Sequence, residues 1–168
     1  MEYHKRKHPR IKEYDYSQPG YYYVTINTLN NAKVLSTVGR GLAPAAIIVE
    51  LSEVGKVAER QLLELEKRYN HVRIDKYVIM PNHIHVIFVL NEQVAGASPR
   101  PTLMDVVCAY KSITTCECNR MDNTPGRKLF QASFYDTVIR NDSAYYETAR
   151  YIEENPLKWM LDKEGMRR

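Results

Sequence analysis

His83 and His85 stand two residues apart in the run Met80-Pro81-Asn82-His83-Ile84-His85-Val86-Ile87-Phe88-Val89-Leu90. The run is rich in β-formers and reads as a strand. Strand side chains alternate faces, so both imidazoles point one way and Ile84 the other. Two imidazoles on one face can grip one metal ion. A second set lies in Tyr145-Tyr146-Glu147-Thr148-Ala149-Arg150-Tyr151-Ile152-Glu153-Glu154-Asn155-Pro156. Tyr151 and Asn155 are four apart and share a helical face. A nucleophilic hydroxyl and an amide oxygen can then reach one metal site, with His83, His85 and Asn155 as ligands. Open positions would remain for phosphate oxygens or water, as a catalytic metal requires. Each piece also has an everyday explanation. Histidines are common in cores and on surfaces, a helical tyrosine is usually packing, and Asn before Pro is ordinary helix-end punctuation.

The elements that must position these groups can be read along the chain. Tyr21-Tyr22-Tyr23-Val24-Thr25-Ile26-Asn27 predicts a strand after Gly20. Asn30-Asn31 marks a turn, and Lys33–Thr37 predicts a short returning strand. Pro44 opens a long helix with Ile47, Leu51, Val54, Ala58, Leu62 and Leu65 at helical spacing, ending near Tyr69-Asn70. Val72–Met80 and His83–Leu90 predict an antiparallel hairpin turning at Pro81-Asn82. In its second strand Ile84, Val86, Phe88 and Leu90 form an apolar face, opposite the histidines. Residues 91–101 hold Gly96, Ser98, Pro99 and Pro101 and predict a mobile loop. Thr102 caps a helix to about Arg120, burying Leu103, Val106, Val107, Tyr110 and Ile113. Leu129–Arg140 reads as extended. Asn141 or Asp142 caps a last helix that Pro156 ends at Asn155. The order β-β-α-β-β-α-β-α predicts an α+β fold, an antiparallel sheet with packed helices of the ferredoxin-like plait type.

The 168 residues, 44% hydrophobic and 26% charged, suit one globular domain over 1–168 rather than a disordered chain. The net charge of +4 is compatible with nucleic acid without demanding it. Residues 1–20 form a basic arm with His4, Lys5, Arg6, Lys7, His8, Arg10 and Lys12. Alone it reads as a solvated tail; beside a site that handles nucleic acid Arg6, Lys7 and Arg10 become phosphate contacts. No run is long enough to cross a bilayer and no leader is present, so the expectation is a cytoplasmic protein with no membrane partner. Cys108, Cys116 and Cys118 make neither a disulfide framework nor a zinc spacing and are read as reduced thiols. Thirteen tyrosines against three phenylalanines provide flat rings that can stack on bases or sit on strand surfaces.

The motifs together resemble the REP-associated tyrosine transposases, which belong with the single-tyrosine HUH transposases. Met80–His85 and Tyr151–Pro156 are similar to the paired-histidine and nucleophile motifs. Tyr22–Asn27 resembles the first strand, Tyr110-Lys111-Ser112-Ile113-Thr114-Thr115 the Phe/Tyr-Lys-Ser helix segment, and Phe130-Gln131 through Phe134, Asp136, Ile139 and Arg140 the stretch before the last helix. The resemblance runs from about Tyr14 to Trp159. Phe130 stands where the family usually has Trp, and the chain ends soon after Trp159. The resemblance implies a metal-dependent endonuclease and strand transferase acting on single-stranded hairpin DNA of palindromic repeats. His83, His85 and Asn155 would hold Mg²⁺ or Mn²⁺, and Tyr151 would form a 5′-phosphotyrosine link. Lys111 and Arg140 are DNA-contact expectations, with Lys76 and Lys158 weaker ones, and the protein would be a monomer or homodimer.

Two other readings compete. The same plait can bind hairpin DNA or RNA without cutting, stacking bases on exposed tyrosines. That leaves the histidines unexplained, and no Gly-aromatic RNA-binding motif accompanies Tyr21. A small-molecule metallohydrolase would need more carboxylates near the histidines.

Overall fold

The computed structural model describes residues 11–43, 46–92 and 101–163. Strand β1 (Gly20–Asn27) is the Gly-led aromatic run. It lies between β5 (His83–Leu90) and β6 (Tyr135–Ile139), antiparallel to both. On its other side β5 pairs antiparallel with β4 (Val72–Ile79), so the sheet order is β4-β5-β1-β6. Helix α1 (Glu53–Arg68) connects towards β4 and α2 (Leu103–Met121) connects β5 to β6. This is the antiparallel plait expected from the sequence.

Alternation decides which face each helix covers. Tyr22, Val24 and Ile26 of β1 and Ile84, Val86, Phe88 and Leu90 of β5 form one buried face with the apolar stripes of α1 and α2. Val57, Ala58, Leu62 and Leu65 come from α1, and Leu103, Val106, Val107 and Tyr110 from α2. Each large side chain buried here contributes roughly 1.5–3 kcal/mol. The Tyr110 hydroxyl donates to the Ala58 carbonyl at 3.0 Å and ties the two helices. Thr102 caps α2 through a reciprocal box with Asp105. Helix α3 (Asp142–Lys163) lies on the opposite face, where Ala149 and Ile152 bury against Ile87.

Three local expectations change. The helix predicted from Pro44 is two elements, β3 (Ile47–Leu51) and α1, separated by Ser52; Pro44 itself lies outside the described residues. Ile47 and Leu51 have helical spacing, but Ile-Ile-Val favours a strand, and pairing with β2 (Ser36–Arg40) decides the matter. The Ser52 hydroxyl accepts the Gly55 N–H at 3.0 Å and starts the helix. The returning strand starts at Ser36 rather than Lys33 and forms a separate ribbon with β3. Finally, α3 does not stop at Asn155, because Pro156 sits inside it. Proline removes one backbone donor, and tertiary contacts hold the turns beyond it: Trp159 lies 6.0 Å from the His83 ring. Of the predicted loop, residues 93–100 lie outside the described residues.

Candidate active site

The two histidines open β5, opposite Asn27 and Thr25 of β1. Strand alternation turns both rings to the α3 face, with centroids 4.5 Å apart. Each ring is anchored through Nδ1. His83 Nδ1 lies 2.7 Å from the Asn82 side-chain oxygen. His85 Nδ1 lies 2.8 Å from the Tyr23 hydroxyl and 3.0 Å from Thr25 Oγ1. An N–H at Nδ1 donating to these oxygens leaves the Nε2 lone pair for a further ligand. Burial pushes the His85 pKa down to about 3, helped by the neighbouring His83. Burial also lowers that of His83, opposed by a hydrogen bond with the Asn155 side chain. Both rings are therefore neutral at pH 7, as metal ligands must be.

Helix α3 brings the second half. Docking of Ala149 and Ile152 on Ile87 sets its rotation. Tyr151 then points towards the histidines, its ring 5.3 Å from His85 and 6.4 Å from Tyr23. It keeps 42% of its surface exposed, whereas Asn155, one turn on, is 7% exposed. A nucleophile must meet its substrate, and a ligand must be held in place, so the contrast suits the two roles. Lys158 Nζ sits 4.7 Å from the centre of the Tyr151 ring. Glu154 pairs with Lys158 at 3.2 Å and Glu153 with Lys76 at 2.6 Å. Those carboxylates are thus engaged in surface ion pairs.

The donor set fits a divalent cation. Two neutral imidazoles and the Asn155 side chain converge, and the hydrogen bond between His83 and Asn155 shows that these two groups face each other. Among the described residues no three of His, Cys, Asp and Glu gather at one point; the third donor here is an amide.

Other expected residues are dispersed. Lys111 Nζ donates to the Ala132 carbonyl at 2.8 Å and lies 5.9 Å from the Phe134 ring centre, bracing the stretch before β6. Arg140 is exposed just beyond β6, beside the Tyr21 end of β1 and away from the end that pairs with His83. Arg6, Lys7 and Arg10 lie outside the described residues. Sequence reasoning missed Tyr23, Thr25, Asn82 and Trp159 as parts of the site. Alternation already put Tyr23 and Thr25 on one face, but their partner depended on strand register.

No family model matches this chain. In structure it resembles a REP-associated tyrosine transposase bound to a REP hairpin, with a TM-score of 0.63 over 89% of this chain and 73% of that one, at 19% identity. The two share a fold. An uncharacterized Haemophilus influenzae protein is 26% identical over 175 residues, covering 95% of this chain and 93% of its own. Among the described residues no helix is long and apolar enough to cross a membrane.

Proposed function

We propose that this chain is a tyrosine endonuclease and strand transferase of the HUH class, akin to the REP-associated transposases, acting on single-stranded hairpin DNA. One observation carries the reading: Tyr151 and Asn155, four apart on α3, meet the paired histidines of β5 on one sheet face. The fold likeness supports it, since that transposase was seen on a REP hairpin.

His83, His85 and Asn155 would hold Mg²⁺ or Mn²⁺, which when bound polarises the scissile phosphate and offsets its charge. The Tyr151 oxygen attacks phosphorus, the bond to the 3′-oxygen breaks, and the phenolic proton passes to solvent. The leaving oxygen takes up a proton as a free 3′-OH, and the 5′-phosphate stays on Tyr151. Because the phosphodiester is exchanged for a phosphotyrosine, another 3′-OH can reverse the step and join strands. Lys158, 4.7 Å from the centre of the Tyr151 ring, places a positive charge where the scissile phosphate would lie. Tyr23 and Thr25 orient His85, and Asn82 orients His83.

The test uses hairpin DNA with Mg²⁺ or Mn²⁺ on a denaturing gel. Wild type should give a shifted covalent band that EDTA and Tyr151→Phe abolish, with hairpin binding retained in the variant. Hairpin binding without any band would instead identify a non-cleaving binding module.

A further inference from the structure

Helix α3 packs over Val78 of β4 and Ile87 of β5. Beside it, β1 and β6 carry Tyr21, Tyr23 and Thr25 opposite Ile139, Thr137 and Tyr135, all on the α3 side of the sheet. At the Tyr151 end, Tyr23, Thr148 and Tyr151 line a shallow pocket. At the other end a second pocket of about 410 Å³ opens between Tyr21, Ile139, Arg140, Asn141, Tyr145 and Tyr146. Three tyrosines line it together. Tyr21 and Tyr145 meet edge-on at 5.6 Å, as do Tyr145 and Tyr146 at 5.4 Å. Tyr145 is locked, because its hydroxyl donates to Asp75 at 2.7 Å. Tyr146 and Tyr21 are 66% and 41% exposed, so both rings are open to a ligand beside Arg140.

We propose that this second pocket holds an unpaired nucleobase of the strand whose phosphate lies at Tyr151. The inference rests on the function proposed above and extends it to a subsite. The volume falls in the range of small-ligand pockets, roughly 300–1,000 Å³. Exposed rings give a sequence-tolerant stacking surface, and a guanidinium adds stacking and hydrogen bonds. Asp142 also borders the pocket, so its one arginine is balanced by one carboxylate. That balance suits a neutral base better than a phosphate. The N-terminus of α3 plays no part, since the Asn141 side chain already accepts the Ala144 N–H at 2.8 Å. Tyr21 is four residues from Thr25 on β1, so the pocket lies about 13 Å along the strand from the histidines. An extended single strand spans that distance within a few nucleotides.

The probe is a DNA hairpin with or without a mixed-sequence single-stranded extension on either side, measured by fluorescence anisotropy. The extension should tighten binding on the order of tenfold or more, and Tyr146→Ala or Arg140→Ala should erase most of that gain while leaving affinity for the blunt hairpin. In wild type, 5-iodouracil placed along the extension should photo-crosslink to Tyr21 or Tyr146. An extension that adds no affinity, a gain that survives both substitutions, or crosslinks confined to other surfaces would overturn the pocket. Covalent adduct at Tyr151 is scored separately on the same probe. Adduct without crosslinks at the pocket overturns the subsite alone. Crosslinks without adduct overturn cleavage and support the subsite.

Discussion

The Tyr23 hydroxyl lies 2.8 Å from Nδ1 of His85, across the β1–β5 ladder. Thr25 reaches the same nitrogen at 3.0 Å. Together they hold one ring orientation. Groups of this kind behind a metal ligand are commonly worth about 10–100-fold in affinity. We expect Tyr23→Phe combined with Thr25→Val to weaken Mn²⁺ binding by about that factor, read by calorimetry or electron paramagnetic resonance. An unchanged affinity would mean that packing alone orients His85.

Asn155 is buried and hydrogen-bonded to His83. Asn155→Ala should weaken Mn²⁺ binding more than the Tyr23 and Thr25 changes do, because it removes the proposed third ligand itself. Asn155→Asp should retain or tighten it and should raise the His83 pKa, since a carboxylate favours the imidazolium. Titration of the His83 ring by NMR, without metal, checks the second point. Equal metal affinity in wild type and Asn155→Ala would remove Asn155 from the ligand set.

His85 makes metal-free stability depend on pH. Its pKa drops from 6.5 to about 3 on folding, with burial the main cause. Between those values the unfolded chain binds the proton and the folded chain does not. Stability is therefore full above pH 6.5 and falls as pH drops towards 3. At pH 5 the loss from this one group is about 2 kcal/mol. Urea unfolding in EDTA should show this slope, and His85→Gln should flatten it. A slope of the same size in the variant would place its origin elsewhere.

Gly55 is in the first turn of α1, where a helix would favour alanine. A Cβ there would stand 1.9 Å from the Leu35 carbonyl oxygen. Leu35 also donates its N–H to the Pro81 carbonyl at 3.0 Å, so this crossing braces the turn that leads into His83. Gly55→Ala gains about 1 kcal/mol in helix propensity and meets an overpacking cost of about 1–3 kcal/mol against rigid backbone. We expect net destabilisation, seen as a lower urea midpoint. A stabilised variant would show that the crossing yields easily.

The pairing of His83 with His85, and of Tyr151 with Asn155, was legible because both depend on local geometry. A two-residue step in a strand and a four-residue step in a helix fix side-chain direction wherever the element lies. The hairpin at Pro81-Asn82 and the apolar face of Ile84, Val86, Phe88 and Leu90 were legible for the same reason. Other features rested on contacts between distant parts of the chain. Ile47–Leu51 could have continued a helix until β2 supplied a partner. Pro156 would end an isolated helix, yet packing around Trp159 carries α3 past it. The hydroxyls behind His85 come from residues 62 and 60 positions away, chosen by the register of β1 against β5. From the sequence alone came the identity and local direction of the reactive groups. Tertiary structure decided which of them meet and what holds them, because register and helix docking depend on burying the whole sheet rather than on any one segment.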